Sequence, residues 1–424
     1  MKQVKIIIEY LEKILSGEET YSNSIAIIRR SKEIQNEDER KLKFLLRQAL
    51  LRRELFMYFL SVRLPEVSLS LKTLAALLIY FANSFFLKSV EIDIDEFEAY
   101  LLSINEEEAK LVIASNLLLE SDKNALYPTK SHYLSPLNLS LRYNCPLPLI
   151  EFWIEELGKK QTIKTLDATR KPFTICGRIN AKQVNVEELF EANKDFKPSV
   201  LKNSYVYSSK KNIKQTAPYK EMSVYSLSLY EAKISDYIQS LNPRSVVCFE
   251  DEKSSLFLDL AIQCETDTHI SVVTTSRRRF AICNAIKLKF KLDNVDVLYL
   301  NKIEEIETLG KFDVVYYVAP SSNYNAIRLS PDFFVNWKID IHAEKAAFVK
   351  DRLASLIPLV APQGFLLFNV TTYTSIETHE QAEAFANEHP QFALALTMKT
   401  MPYEIDNALT FTAVFAHLEK DNNA

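Results

Sequence analysis

Apolar residues recur at spacings of three and four through VKIIIEYLEKIL (4–15), LKFLLRQALLRRELFMYFL (42–60), IDEFEAYLLSI (94–104) and EEEAKLVIASNLLL (106–119). That period places them on one face of a helix. LKTLAALLIYFANSFFL (71–87) is apolar almost throughout and predicts a helix buried on all sides. No alternating pattern interrupts these segments, so residues 1 to about 130 predict an all-α domain of five to seven helices. PLPLIEFWIEELG (146–158) predicts one more helix, ending at Gly158 as a C-cap. The pattern then becomes mixed. FTICGRIN (173–180) reads as a strand, VNVEELFEAN (184–193) as a helix and 200–207 as a further strand. From about residue 221 the period alternates. SVVCFE, HISVVTTS, VDVLYL, FDVVYYVA, GFLLFNVT and LTFTAVFAHL are continuous β-branched or aromatic runs. SRRRFAICNAIKLKFKL, HAEKAAFVKDRLASLIPLV and HEQAEAFANEH lie between them with helical spacing. Strands alternating with helices predict a doubly wound, mostly parallel sheet. The last two strand runs, each read as following a helix, suit a reversed hairpin at the sheet edge.

Composition sharpens the functional question. The chain has 424 residues and a net charge of −4, so global charge points to no polyanionic partner. Charge is uneven, however. Residues 159–220 carry 14 Lys and Arg against 5 Asp and Glu, a net of +9, which leaves −13 for the remainder. A basic segment in an acidic chain predicts an RNA-facing module, with a solvated basic surface as the plainer reading. Arg277, Arg278 and Arg279 open a predicted helix, where cations oppose the helix dipole. That cost favours phosphate contact for the triplet. Tyr205, Tyr207, Tyr219, Tyr225 and Tyr324 offer rings for stacking on bases if exposed, and core residues if not.

Only 5 glycines occur, scattered, against about 7% of residues in an average chain. Neither a Walker loop nor a G-x-G-x-x-G exists. Five cysteines fall at 145, 176, 248, 264 and 283 without a C-x-x-C, and His269, His342, His379 and His389 lack ligand spacing. No metal site is expected. Unpaired thiols suit a reducing cytoplasmic setting, with Cys248 and Cys283 read as core residues. Neither a signal peptide nor a membrane span is read. Asp313, Asp332 and Asp340 are a possible carboxylate cluster, although Asp332 after Pro331 reads better as a helix cap.

The order of motifs resembles the Sun/Fmu family, the bacterial small-subunit ribosomal RNA cytosine-5 methyltransferases. FWIEELG (152–158) stands where that family has W-I-E-E-L-G, and GRINAKQVNVEELF (177–190) where it has L-R-V-N before a helix. VAPSSNYNAIRLSPD (318–332) corresponds to D-A-P-C-S-G-x-G-x-x-R-x-x-P-D, and PQGFLLFNVTT (362–372) to P-G-G-x-L-x-Y-x-T-C-S. The resemblance spans about residues 143–418. It implies three parts: a NusB-like helical domain (1–135), a small basic α+β linker domain that binds RNA (143–220), and a C-terminal α/β Rossmann-like methyltransferase domain (221–420).

The resemblance also implies where chemistry belongs. In that family one thiolate adds to C6 of cytosine and a second cysteine helps release the product. Their positions here are Thr371 and Ser321, and the family Asp is Val318. A hydroxyl has almost no anion at neutral pH without a strong base beside it. The cofactor loop C-A-A-P-G-G-K aligns with Glu250–Leu256, which contains Ser254 and Ser255 but no glycine. The ribose-binding acid aligns with Thr274, and the Asp after the third strand with Asn301. The expectation is a degenerate homologue, a pseudoenzyme that needs no cofactor and binds ribosomal RNA, with ribosome-associated proteins as further partners. Its RNA contacts are expected at Arg178, Asn180, Arg277, Arg278 and Arg328. The alternatives are an active S-adenosylmethionine-dependent rRNA cytosine-5 methyltransferase with diverged motifs, and a protein-interaction scaffold.

Overall fold

A computed structural model describes the chain except for residues 1, 31–35, 130–131, 265–267, 405–407 and 419–424. It divides into two compact units, 1–170 with 326–339, and 171–325 with 340–424.

The first unit is helical. Helices α1 (Lys2–Ser16), α2 (Tyr21–Arg30), α3 (Asn36–Leu50), α4 (Arg53–Arg63), α5 (Leu71–Phe81), α6 (Ile94–Ile104) and α7 (Glu106–Ala114) are followed by α8 (Pro136–Tyr143), α9 (Leu147–Leu157) and α10 (Lys159–Thr169). Helix α5 is the expected central element, with all residues from Ala75 to Phe81 buried. Its N-terminus is fixed by Ser70, whose hydroxyl accepts the Thr73 N–H and donates to Glu108 at 2.8 Å. Helix α9 stops at Gly158, where φ is +76°. The segment 326–339 contributes Val335 to this unit's core. Asp332 begins no helix of its own. Its carboxylate accepts the Tyr21 N–H at 2.8 Å and so caps α2 from 311 residues away. The expected Asp cluster does not form, because Asp313 instead accepts the Arg244 and Ser245 N–H groups at 2.7 and 3.1 Å.

The second unit holds two sheets. Strands β1 (Ile175–Ile179), β2 (Phe196–Pro198), β3 (Ser204–Tyr207) and β4 (Val224–Ser226) form a small antiparallel sheet in the order β2-β3-β1-β4, with helix α11 (Val186–Ala192) and the short α12 (Ala217–Lys220) beside it in sequence. Gly177 sits where β1 and β4 pair. A Cβ there would lie 1.9 Å from the Tyr225 carbonyl oxygen.

The large sheet has strands β5 (Ser245–Glu250), β6 (His269–Thr274), β7 (Val295–Tyr299), β8 (Phe312–Val318), β9 (Val360–Val370), β10 (Phe392–Thr400) and β11 (Thr410–His417), in the order β10-β11-β9-β8-β5-β6-β7. β5 to β9 are parallel and β11 is antiparallel to both neighbours. Helices α13 (Leu229–Ser240), α14 (Leu256–Gln263), α15 (Arg277–Phe290), α16 (Ile341–Leu356) and α17 (His379–Glu388) complete the βα alternation. Central strands buried on both faces explain their continuous apolar runs. The sequence reading passed over β10, and β11 follows that strand rather than a helix. Strand order reverses at β5, between β6 and β8, which opens a crevice at the strands' carboxyl ends.

Candidate functional site

The crevice is lined by the loop 252–255 after β5, by Val318 and Ala319 at the end of β8, and by Asn369 and Thr371 at the end of β9. Residues 173–176 and 226–228 close one side, and the cavity measures about 500 Å³. That volume is typical of small-molecule sites.

The two positions where the resemblance implies cysteines meet here. Ser321 Oγ and Thr371 Oγ1 are 3.1 Å apart. Their other partners are the Asn323 N–H, donated to Ser321 Oγ at 3.2 Å, and Asn323 Oδ1, which accepts from Thr371 at 3.4 Å. Among the described residues neither hydroxyl bonds to a carboxylate or an imidazole, so nothing prepares either one as a nucleophile. The nearby carboxylate, Glu377, serves Ser322 N–H at 2.8 Å and Thr374 Oγ1 at 2.8 Å instead. Val318, at the family Asp position, is buried, and its carbonyl accepts the Asp251 and Glu252 N–H groups at 3.2 Å each.

The loop after β5 is filled by the protein itself. Glu250 is 1% exposed and pairs with Arg279 of α15, whose guanidinium also donates to the Ser254 carbonyl. Burial pushes the Glu250 carboxyl up to about 7, with Arg279 opposing the rise. Glu250 Oε1 has no hydrogen-bond partner among the described residues, which also favours the protonated acid. Glu231, from the first turn of α13, accepts from the Ser254 hydroxyl at 2.9 Å and the Ser255 N–H at 3.0 Å. Thr274 is fully buried, with its hydroxyl on the Glu250 carbonyl at 3.0 Å. Asn301 is exposed, and its N–H donates to Glu305 at 3.2 Å. S-adenosylmethionine needs close-approaching backbone amides and a carboxylate for its ribose hydroxyls. Here Glu231 holds the Ser255 amide, Arg279 holds the Ser254 carbonyl and no acid ends β6. These residues do not fit the methyl donor in this arrangement.

The expected RNA contacts separate sharply. Arg178 is 1% exposed, not a surface residue. Its guanidinium donates to the Lys202 and Ala232 carbonyls at 2.9 and 2.8 Å, pairs with Asp236, and lies 3.6 Å from buried Asp259. It ties β1 to α13 and is committed before any RNA arrives. Asn180 is half-buried beside Gln183 at 3.3 Å. Arg328 is half-buried at the end of a short 3₁₀ turn (Tyr324–Arg328). Arg277 and Arg278 are exposed, whereas Arg279 turns inward, so the triplet divides between surface and core. Of the candidate stacking rings, Tyr205, Tyr207, Tyr225 and Tyr324 are buried and Tyr219 is half-buried. The core explanation holds for these four. Of the 14 basic residues between 159 and 220, only Arg178 is buried.

A parallel sheet closed by one inserted antiparallel strand, with its crevice at the strand-order reversal, is the Rossmann-like methyltransferase fold. No protein-family model matches the chain. In sequence it is similar to the probable ribosomal RNA small subunit methyltransferase B of Bacillus subtilis, 29% identical over 122 residues, which is 28% of this chain and 27% of that protein. It is also similar to ribosomal RNA small subunit methyltransferase F of Cronobacter sakazakii, 28% identical over 100 residues, 24% of this chain and 21% of the relative. The chain thus spans about a quarter of the length of these relatives. Among solved structures, PH0851 superposes with a TM-score of 0.71 at 18% identity, covering 97% of this chain and 98% of its own. A methyltransferase homologue from Pyrococcus horikoshii superposes at 0.57 and 16% identity, covering 67% and 99% respectively. The likeness to small-subunit rRNA methyltransferases is thus one of sequence over about a quarter of the chain, and the solved structures share the fold. No helix among the described residues is long and apolar enough to cross a membrane.

Proposed function

We propose that this chain binds RNA, ribosomal RNA in the first place, on a methyltransferase scaffold without transferring methyl groups. It would act as a cytoplasmic ribosome-assembly or ribosome-associated factor. The observation that carries this reading is the Ser321–Thr371 contact at 3.1 Å, two hydroxyls where the related enzymes need two sulfurs. The self-filled loop around Glu250 and Arg279 supports it. In this reading residues 1–135, 143–220 and 221–420 act as helical, RNA-facing and scaffold domains. Asn180, Arg277, Arg278 and Arg328 are its proposed contacts, with the exposed lysines of 159–220 as the main electrostatic surface. The experiment combines gel shift on small-subunit rRNA with calorimetry and label transfer from S-adenosylmethionine. Binding that weakens steeply with salt, no heat with the methyl donor and no label in cytosine are the expected results. Transfer of label to cytosine, or no RNA shift at moderate salt, refutes the proposal.

The second reading is an active rRNA cytosine-5 methyltransferase with diverged motifs. The similarity to two rRNA methyltransferases over 122 and 100 residues favours it. It requires the loop at Glu250–Ser255 to release Arg279 and Glu231 when S-adenosylmethionine binds.

A further inference from the structure

An alternating stack of rings and guanidinium groups lies in the helical unit, outside the crevice. The Arg142 Cζ sits 4.0 Å from the centroid of the Tyr133 ring and 5.4 Å from that of Tyr143. The Arg170 Cζ covers the Tyr143 ring at 4.4 Å. The order is Tyr133, Arg142, Tyr143, Arg170, contributed by the connector before α8, the last turn of α8 and the end of α10. Tyr143 donates its hydroxyl to Asp167, and burial together with that carboxylate pushes its phenol up to about 12. The ring therefore stays neutral across the physiological range. Tyr133, at the open end, is 64% exposed.

Such order on a surface has a cost. Holding long side chains in one geometry opposes their rotamer entropy, and exposed cation–π contacts return little against it. Among the described residues Arg142 and Arg170 form no salt bridge, and the Asp167 carboxylate accepts from the Tyr143 hydroxyl between their two contacts on that ring. Exposed Lys159, Lys160 and Lys164 lie on α10 with Arg170. A ring open to solvent, backed by guanidinium planes and flanked by exposed lysines, combines the two features that hold single-stranded nucleic acid: stacking on bases and attraction for phosphates.

We infer that the Tyr133–Arg142–Tyr143–Arg170 ladder is a docking surface for unpaired RNA, with a base stacked on Tyr133 and phosphates on the arginines. The inference rests on the RNA-binding reading above and gives its basic segment a stacking site, on the part of it that lies in the helical unit.

Anisotropy of a fluorescein-labelled 12-nucleotide oligoadenylate, titrated with the full chain at two salt concentrations, tests it. Tyr133→Ala weakens binding by about 5- to 150-fold, the range for loss of one stacked base. Tyr133→Phe keeps the ring and retains affinity. Lys160→Ala with Lys164→Ala weakens binding chiefly by reducing the salt dependence, which Tyr133→Ala leaves in place. Unchanged affinity in Tyr133→Ala, with wild-type binding intact, overturns the ladder and spares the parent reading. So does a lowered melting temperature without an affinity change, since that marks a purely structural stack. Equal displacement by a 12-base-pair RNA duplex overturns the choice of an unpaired strand. Failure of the wild type to bind any RNA overturns the parent reading instead.

Discussion

Replacing Arg279 by Met removes the cation beside Glu250 and leaves a carboxyl that is 1% exposed. Loss of one partner from a buried ion pair costs about 3–5 kcal/mol. The cost depends on pH. Glu250 already stands near 7 rather than 4.5, because burial disfavours its charge, and without Arg279 it moves higher. A carboxyl raised in the folded state contributes stability that is fully present below its unfolded value. That contribution is lost as pH rises through the folded value. For the wild-type group the window runs from about 4.5 to about 7. At about 1.4 kcal/mol per pH unit it corresponds to about 3 kcal/mol for this group alone. In Arg279→Met the loss extends further upward. At pH 4.5 the folded group holds its proton and the unfolded one is half ionised, so the variant forfeits mainly packing. At pH 8 the wild-type group is ionised beside Arg279 while the variant's still holds its proton, so the variant's deficit grows over the interval above about 7. Urea unfolding followed by circular dichroism at pH 4.5 and pH 8 measures the difference. The expected result is a mutant deficit about 1.4 kcal/mol larger at pH 8, the linkage contribution of the one pH unit above the wild-type value. It is removed in the double variant Glu250→Leu with Arg279→Met, since an apolar pair of similar bulk is often neutral or better. An equal deficit at both pH values refutes the buried-pair argument.

Two further outcomes follow from the same geometry. Arg178→Met removes the guanidinium from two carbonyls and from Asp236 and Asp259, and should cost about 3–5 kcal/mol in urea unfolding. RNA affinity measured on the folded variant should be unchanged, and a lost affinity with normal stability would reverse the assignment. Replacing exposed Lys210, Lys211 and Lys214 by Ala leaves stability within about 0.5 kcal/mol. It weakens RNA binding and lowers the slope of log affinity against log salt by about 2–3, and an unaltered slope places the RNA elsewhere.

Elements buried on both sides were legible in the sequence, because their residue types leave no alternative. SVVCFE and FDVVYYVA become the adjacent central strands β5 and β8. LKTLAALLIYF becomes the buried helix α5. Strand β10 was not legible, since an edge strand is covered on one side only. Phe392 is buried and Leu396 is 39% exposed, which leaves no clean alternation. The direction of charged side chains was equally hidden. A run of three arginines reports a cost at the helix start, and the sequence attributes it to phosphate. The compensating anion, Glu250, lies 29 residues earlier, and only the fold brings it to Arg279. Asp332 was read correctly as a cap but for the wrong helix, because a partner 311 residues away leaves no local signal. Tyr133 escaped notice for a related reason. Nothing in HYLSPLNLSLRYN distinguishes an exposed ring from a buried one until α8 brings Arg142 beside it.

The crevice poses an energetic problem of its own. A loop built to seat a charged ligand leaves buried polar groups unsatisfied when the ligand is absent, at about 1–3 kcal/mol each. Here that deficit is mostly closed from within. Glu231 takes the Ser254 hydroxyl and the Ser255 amide, Arg279 takes the Ser254 carbonyl, and Thr274 takes the Glu250 carbonyl. The substitutions are mutually dependent. Arg279 without Glu250 would be a buried cation, and Glu250 without Arg279 a buried carboxyl pushed further toward its neutral acid, with one oxygen already unpartnered. Unrelated losses at single positions would leave such mismatches behind. On the proposed reading, a loop whose polar groups satisfy one another is a structural element that needs no donor, with the cavity of about 500 Å³ retained beside it.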